Sequence, residues 1–213
     1  MSADLVWDQS PQGSPEWLAM RRGVITASRF KDARDKLKSG APSSKQLAYA
    51  FDLARERVGG KPPEVFQNAA MRFGSEQEPF CRMAYEAARG VFVDEAGFAY
   101  TADRAFGVSV DGLVGADGIF ECKTMVSSDT LFTAVVDGDI SAYRDQCLGA
   151  MWLTGRKWVD LCLWAPDLAD IGRDLTVHRI ERVDAEIEAL ETDLLAFWRM
   201  VDGLTAKLAK VAA

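Results

Sequence analysis

Apolar positions recur at helical spacing through the first ninety residues and the last thirty, and alternate at strand spacing in between. Ser14-Pro15-Glu16 opens the first helix: serine caps, proline suits the first turn and glutamate complements the dipole. Trp17, Leu18 and Met20 form its apolar side and Gly23 ends it. Val24-Ile25 is extended, and Thr26-Ala27-Ser28 starts a second helix running to about Leu37. After a loop at Lys38–Pro42, a helix from Ser44 to Val58 presents Leu47, Ala50, Phe51 and Ala54 on one face. Gly59-Gly60-Lys61-Pro62-Pro63 is the clearest break. Asn68 to Arg89 reads as helix, interrupted or kinked near Gly74 or Pro79.

The pattern then changes. Val91–Val93 and Phe98–Tyr100 read as short strands, and Phe106–Val114 as a longer one. Ala116-Asp117-Gly118 turns it back into Ile119–Thr124, Asp-Gly being a strong hairpin signal. Helices are predicted at Ser128–Val136 and Ala142–Leu153, strands at Trp158–Trp164 and Asp174–Ile180, and a final helix from an Asp184 cap to about Leu208. The order predicts one α/β domain over residues 1–213 with a mixed sheet flanked by helices. Its parts are a helical stretch (1–90), a sheet-bearing core (91–181) and a C-terminal helix (182–213).

Composition narrows the chemistry. The 213 residues are 48% hydrophobic, enough for a core without staples. No apolar run is long enough for a membrane span, and Met1–Leu5 does not start a signal peptide, so a cytoplasmic location is expected. Cys81, Cys122, Cys147 and Cys162 form no CxxC pair and read as buried free thiols. The single histidine, His178, rules out clustered-histidine metal sites within one chain and reads as a satisfied or exposed strand residue. Polar chemistry therefore falls to carboxylates, lysines and a hard metal. The net charge of -7 runs against a nucleic-acid surface unless cations gather on one face. Arg21-Arg22, Arg29-Lys31, Lys36-Lys38-Lys45 and Arg156-Lys157 are the available clusters.

One constellation carries chemistry. In Ile119-Phe120-Glu121-Cys122-Lys123, alternation sends Phe120 and Cys122 to one face and Glu121 and Lys123 to the other. The Asp-Gly turn brings Asp111, on the preceding strand, near Glu121. Two converging carboxylates repel unless a cation sits between them. Hard oxygen donors with open water positions suit magnesium or manganese, which can stabilise charge at phosphorus. A neighbouring lysine can orient or deprotonate water. The plainer reading of the three is a cross-strand salt bridge at a sheet edge.

Val110-Asp111-Gly112 with Phe120-Glu121-Cys122-Lys123 resembles the PD-(D/E)xK nuclease signature, with valine in place of the usual proline. Three further blocks resemble the phage lambda exonuclease and YqaJ-like viral recombinase family: Trp17 to Ser28, Phe73-Gly74-Ser75-Glu76-Gln77-Glu78, and Ser141 to Gln146 followed by Met151-Trp152-Leu153-Thr154. Leu148 stands where the family often has a second glutamine. The resemblance implies a restriction-endonuclease-like core and a role for each matching residue. Asp111, Glu121 and the Cys122 backbone carbonyl would hold two Mg2+ ions, with Mn2+ as a substitute. Lys123 would activate water, Glu78 (with Glu76 as competitor) would support the metal site, and Gln146 would face it. Arg21 and Ser28 would hold a 5′ phosphate. It also implies 5′-to-3′ degradation of one strand of linear double-stranded DNA, a homotrimeric ring, and a single-strand-annealing recombination partner for the 3′ overhang. Each residue has a plainer reading: Arg21 a surface charge, Ser28 a helix cap, Glu78 an ion pair with Arg82, Gln146 a solvated side chain. A structure-specific or restriction-type endonuclease and a non-catalytic DNA-binding module remain the alternatives.

Overall fold

The computed structural model describes residues 5–61 and 69–211. Met1–Asp4, the Pro62-Pro63 break and the Asn68 helix start lie outside them. In chain order the elements are β1 (Leu5–Asp8), α1 (Pro15–Arg21), β2 (Ile25–Thr26), α2 (Phe30–Arg34), α3 (Ser44–Arg57), α4 (Ala69–Arg89), β3 (Phe98–Thr101), β4 (Phe106–Ser109), β5 (Gly112–Val114), β6 (Gly118–Thr124), α5 (Ser128–Leu131), α6 (Ser141–Thr154), β7 (Trp158–Trp164), β8 (Leu175–Glu181) and α7 (Asp184–Val211).

The expected mixed sheet is two four-stranded sheets, ordered β1-β3-β4-β2 and β5-β6-β7-β8. In the first, β2 runs parallel to β4 and the other pairs are antiparallel. In the second, β6 and β7 are parallel and the outer pairs antiparallel. The parallel pair requires a crossover, supplied by α5, a π-helical turn at Phe132–Val136, and α6.

Alternation along β6 and β7 assigns the two faces of the second sheet. Phe120, Cys122, Cys162 and Trp164 pack beneath Cys81 and Tyr85 of α4. Ile119, Val159, Leu161 and Leu163 join the larger core with α6 and α7. All four cysteines are buried and free, as expected. α6 also lies against the start of α2, where Gly149 allows close approach: a Cβ there would sit 2.4 Å from the Phe30 ring. That contact brings α6 and the Ala27–Arg29 3₁₀ turn into one layer.

Several expected elements differ, each for a local reason. Phe106–Val114 is two strands in two sheets, because the chain leaves β4 after Ser109 and joins β5 at Gly112. Val91–Val93 is no strand. The Val91 N–H goes to the Glu86 carbonyl and the Val93 N–H to the Glu86 carboxylate, so the α4 terminus takes the groups a ladder would need. The helix expected to reach Leu37 begins as the 3₁₀ turn and stops at Arg34, where Asp35 instead receives the Ser43 hydroxyl at 2.6 Å and the Ser43 N–H at 3.2 Å. α4 runs unbroken through Gly74 and Pro79. Pro79 and Ser75 lie on its exposed side, so the Ser75 carbonyl that loses a partner can face water. β1 and a 3₁₀ segment at Pro166–Ile171 were not foreseen. His178 lies on β8 with its buried Nε2 unpartnered, against the expectation of a satisfied or exposed ring.

Asp160 ties the α4 layer to the sheet. It is fully buried on β7, accepts the Tyr85 hydroxyl at 2.7 Å, and receives two bonds from Arg179, each 2.7 Å. Arg179 in turn stacks on Trp158. The Tyr85→Phe variant leaves the carboxylate one donor short. It should lose about 1.5–3 kcal/mol of stability in urea unfolding, with the denaturant slope unchanged.

Candidate active site

The site forms where the chain changes sheets. β5 and β6 pair Gly112 with Phe120, so the next rung past the end of β5 sets Asp111 opposite Glu121. No ladder continues there. Instead the Asp111 carboxylate accepts the Cys122 N–H at 2.8 Å. In a strand, the N–H and C=O of one residue point to the same edge, so the Cys122 carbonyl also aims at the Asp111 side.

Glu121 is 3% exposed. Its Oε1 accepts the Lys123 ammonium at 2.6 Å and the Gln146 amide of α6. Gln146 therefore faces the site, and the solvated alternative is set aside. Glu78 approaches from α4. It is half-buried where Glu76 is exposed, which separates the two competitors. Arg82, one turn on, lies 3.8 Å from Glu78 and donates to the Asp111 carbonyl at 3.1 Å. The ion-pair reading of Glu78 is thus also true, and Arg82 ties α4 to the Asp111 crossing.

The charges act on one another. Burial, then the facing Asp111, pushes Glu78 from 4.5 up to about 7 against Arg82 and Lys123. Burial and Asp111 push Glu121 up to about 7 as well, against Lys123. Asp111 is raised by burial in spite of Lys123, the Cys122 N–H and Arg82. For Lys123, burial works against the charge, but Glu121 and Asp111 outweigh it and hold the ammonium above its ordinary value. Carboxylates buried together that resist ionisation have the donor chemistry of a divalent-cation site. Among the described residues no three carboxylate, thiol or imidazole groups close into a cage. The donor set is an open one, of hard oxygens.

A second group lies at the other end of the same crossing. Arg21, at the end of α1, donates to the Ser109 hydroxyl at 2.9 Å. Its guanidinium lies 4.2 Å from the centre of Trp17 and 5.2 Å from that of Phe98. Burial lowers its pKa to about 10, and among the described residues it has no carboxylate partner. It is not the surface charge of the plainer reading. Ser28 is exposed on the 3₁₀ turn, its hydroxyl 3.5 Å from that of Thr26. Trp17 was legible as an apolar helix position and as the head of the Trp17–Ser28 block; the meeting of Trp17, Phe98 and Ser109 at Arg21 was not. Ser109 stands two residues before Asp111, which was the available signal.

The other cation clusters are committed in part. Lys36 pairs with Asp193 at 2.7 Å, Arg29 with Asp32 at 2.5 Å and Lys157 with Asp117 at 3.0 Å. Arg156 caps the carbonyls of Gly115 and Gly118.

A family model described as the YqaJ-like viral recombinase domain matches residues 16–157. The chain belongs to that family. Its fold matches an alkaline exonuclease from Laribacter hongkongensis, 32% identical, with a TM-score of 0.82 over 93% of this chain and 98% of that one. The same enzyme in complex with dAMP matches at 0.83, also 32% identical over 93% and 98% of the two chains. A phage-related exonuclease from Haemophilus somnus 129PT shares the fold at 16% identity and a TM-score of 0.70, over 87% and 96%. No curated protein sequence matches the chain. The YqaJ-like domain thus has the PD-(D/E)xK exonuclease fold, and the expected fold class holds. Among the described residues no helix is long and apolar enough to cross a membrane.

The raised carboxyls give a pH signature. Glu78 and Glu121 bind protons more tightly folded than unfolded, so this stabilisation is full below about 4.5 and is lost as pH rises through about 7. In chelator, thermal scans from pH 5 to 8.5 should show a falling Tm. A Glu78→Gln, Glu121→Gln double variant should flatten that slope. Magnesium should raise the native Tm more at pH 8 than at pH 6.

Proposed function

We propose that this YqaJ-like protein is a magnesium-dependent 5′-to-3′ exonuclease that degrades one strand of linear double-stranded DNA. That it is an exonuclease follows from its family and from its likeness to the alkaline exonuclease along nearly the whole of both chains. The finer reading is carried by one observation: Asp111, Glu121 and Lys123 meet at the sheet crossing, beside Glu78 and Gln146.

The residues fit a hard divalent ion. Asp111, Glu121 and the Cys122 carbonyl would hold Mg2+, or Mn2+ in its place, and two ions suit the donor set with Glu78 in support. Bound there, the ions supply positive charge to the scissile phosphate and lower the pKa of water. Lys123, held as an ammonium, orients the attacking water and offsets negative charge developing at phosphorus. Gln146 fixes the Glu121 oxygen that Lys123 also touches. Water attacks phosphorus, the P–O3′ bond breaks, and the terminal nucleotide departs. The phosphate stays on the next nucleotide as a new 5′ end.

Arg21 and Ser28 are the anchor for that end. A desolvated guanidinium without a carboxylate partner suits a phosphate, and stacking on Trp17 limits its motion. The relative's complex with dAMP supports a deoxynucleotide as what the site accommodates. Carboxyls raised to about 7 favour ion binding, and hence activity, on the alkaline side. A homotrimeric ring with its cations inward would reconcile the charge of -7 with travel on DNA. The 3′ overhang would pass to a single-strand-annealing recombination protein.

Three assays on one preparation test this. With magnesium, a 5′-phosphorylated linear duplex should lose nucleotides quickly while a closed circle stays intact; nicking of the circle would instead mark an endonuclease. The Lys123→Ala variant should lose at least about a hundredfold in kcat. Arg21→Ala should erase most of the preference for a phosphorylated over a hydroxyl end. Equal native rates on the two ends would remove the anchor assignment.

A further inference from the structure

Three hydrogen bonds from α3 hold the segment that joins Arg21 to Ser28. Glu56 accepts the Gly23 N–H at 2.7 Å, Arg57 donates to the Gly23 carbonyl at 2.9 Å, and the Tyr49 hydroxyl accepts the Thr26 N–H at 3.1 Å. The third differs in kind. Tyr49 is 5% exposed, and its ring stacks on Phe197 of α7 with centroids 5.4 Å apart. The Arg29 guanidinium sits over the same ring at 4.3 Å. Thr26, whose N–H the phenol accepts, places its own hydroxyl 3.5 Å from that of Ser28. Burial raises the phenol's pKa, while Thr26, Arg29 and Arg21 pull it back, so both guanidiniums lie within electrostatic reach of this oxygen. As core filler alone, phenylalanine would pack the same space with no buried hydroxyl to satisfy.

We propose that Tyr49 is a positioning residue for recognition of a terminal phosphate monoester. Its hydroxyl fixes the Thr26 N–H, and through Thr26 the Ser28 hydroxyl. This rests on the reading of Arg21 and Ser28 as the end anchor. A 5′-hydroxyl end makes no use of the arrangement, so the Tyr49 hydroxyl acts on the difference between the two ends.

The test is steady-state kinetics on linear duplexes that differ only in a 5′ phosphate or a 5′ hydroxyl. Tyr49→Phe keeps the ring, its stack on Phe197 and its contact with Arg29, and removes one oxygen. The ratio of kcat/KM on the phosphorylated duplex to that on the hydroxyl duplex should fall by about tenfold or more, with the loss appearing in KM for the phosphorylated end. Thr26→Val, which keeps the N–H that Tyr49 accepts and removes the relaying hydroxyl at the same volume, should lower the ratio in the same direction, and it tests the relay if the phenylalanine variant does not fold. A hydroxyl with a structural role only would lower both rates in proportion. A wild-type ratio retained in the variants overturns the role of Tyr49 and leaves the anchor standing. A native enzyme indifferent to the end overturns the anchor, and Tyr49 with it.

Discussion

The hydrogen bond from the Cys122 N–H to the Asp111 carboxylate, 2.8 Å long, is the constraint on which the site depends. At Asp111 the chain has left one sheet and not yet entered the other. A backbone there has no ladder to fix it. The side chain does so by accepting a peptide N–H from the catalytic strand itself, which locks Asp111 in register with Glu121 and Lys123. Arg82 fastens the same residue from α4 through its carbonyl. Two residues upstream, Ser109 receives Arg21. One short crossing, about 7 Å long if extended, therefore carries at one end the carboxylate proposed to hold a metal and at the other the serine that meets the proposed phosphate anchor. On the proposed reading, three residues of backbone set the spacing between end recognition and bond cleavage.

The electrostatics of this crossing favour function over stability. Glu78, Asp111 and Glu121 all resist ionisation, chiefly through burial, and Glu78 and Glu121 also through the neighbouring Asp111. Lys123 relieves some of the repulsion and in doing so is held charged. A fold selected for stability would have replaced one carboxylate with an amide. Keeping all three costs the metal-free protein stability at neutral pH and leaves a site that gains from a divalent cation. The amide that is present, Gln146, sits outside the carboxylate group and fixes an oxygen of it.

Local chemistry was legible in the sequence, and long-range pairing was not. Glu121 and Lys123 could be assigned to one face because alternation along a single strand needs no knowledge of neighbours. Asp111 could be brought near them because an Asp-Gly turn joins the two segments. The division of Phe106–Val114 between two sheets could not be read, since nothing local marks which strand a backbone will pair with. β1 was missed for a related reason: as an edge strand it is only half-buried, so its apolar signal is weak. The Ser109–Arg21 contact spans 88 residues. The choice between Glu76 and Glu78 needed the rotation of α4 about its axis, which the strand packing of Cys81 and Tyr85 decides.

The chain's acidity bears on how such an enzyme meets DNA. Part of its positive charge is spent internally: Arg34, Lys36, Arg144, Lys157 and Arg179 each hold a carboxylate. A net charge of -7 opposes contact with a duplex along its length. Arg21 is a stacked and desolvated guanidinium without an acidic partner among the described residues. Affinity concentrated at one such point selects for the feature that a terminus has and an interior stretch lacks, the phosphate monoester. Each cleavage at P–O3′ leaves that same group on the next nucleotide. An enzyme that recognised the end in this way would therefore recreate its own recognition element with every turnover.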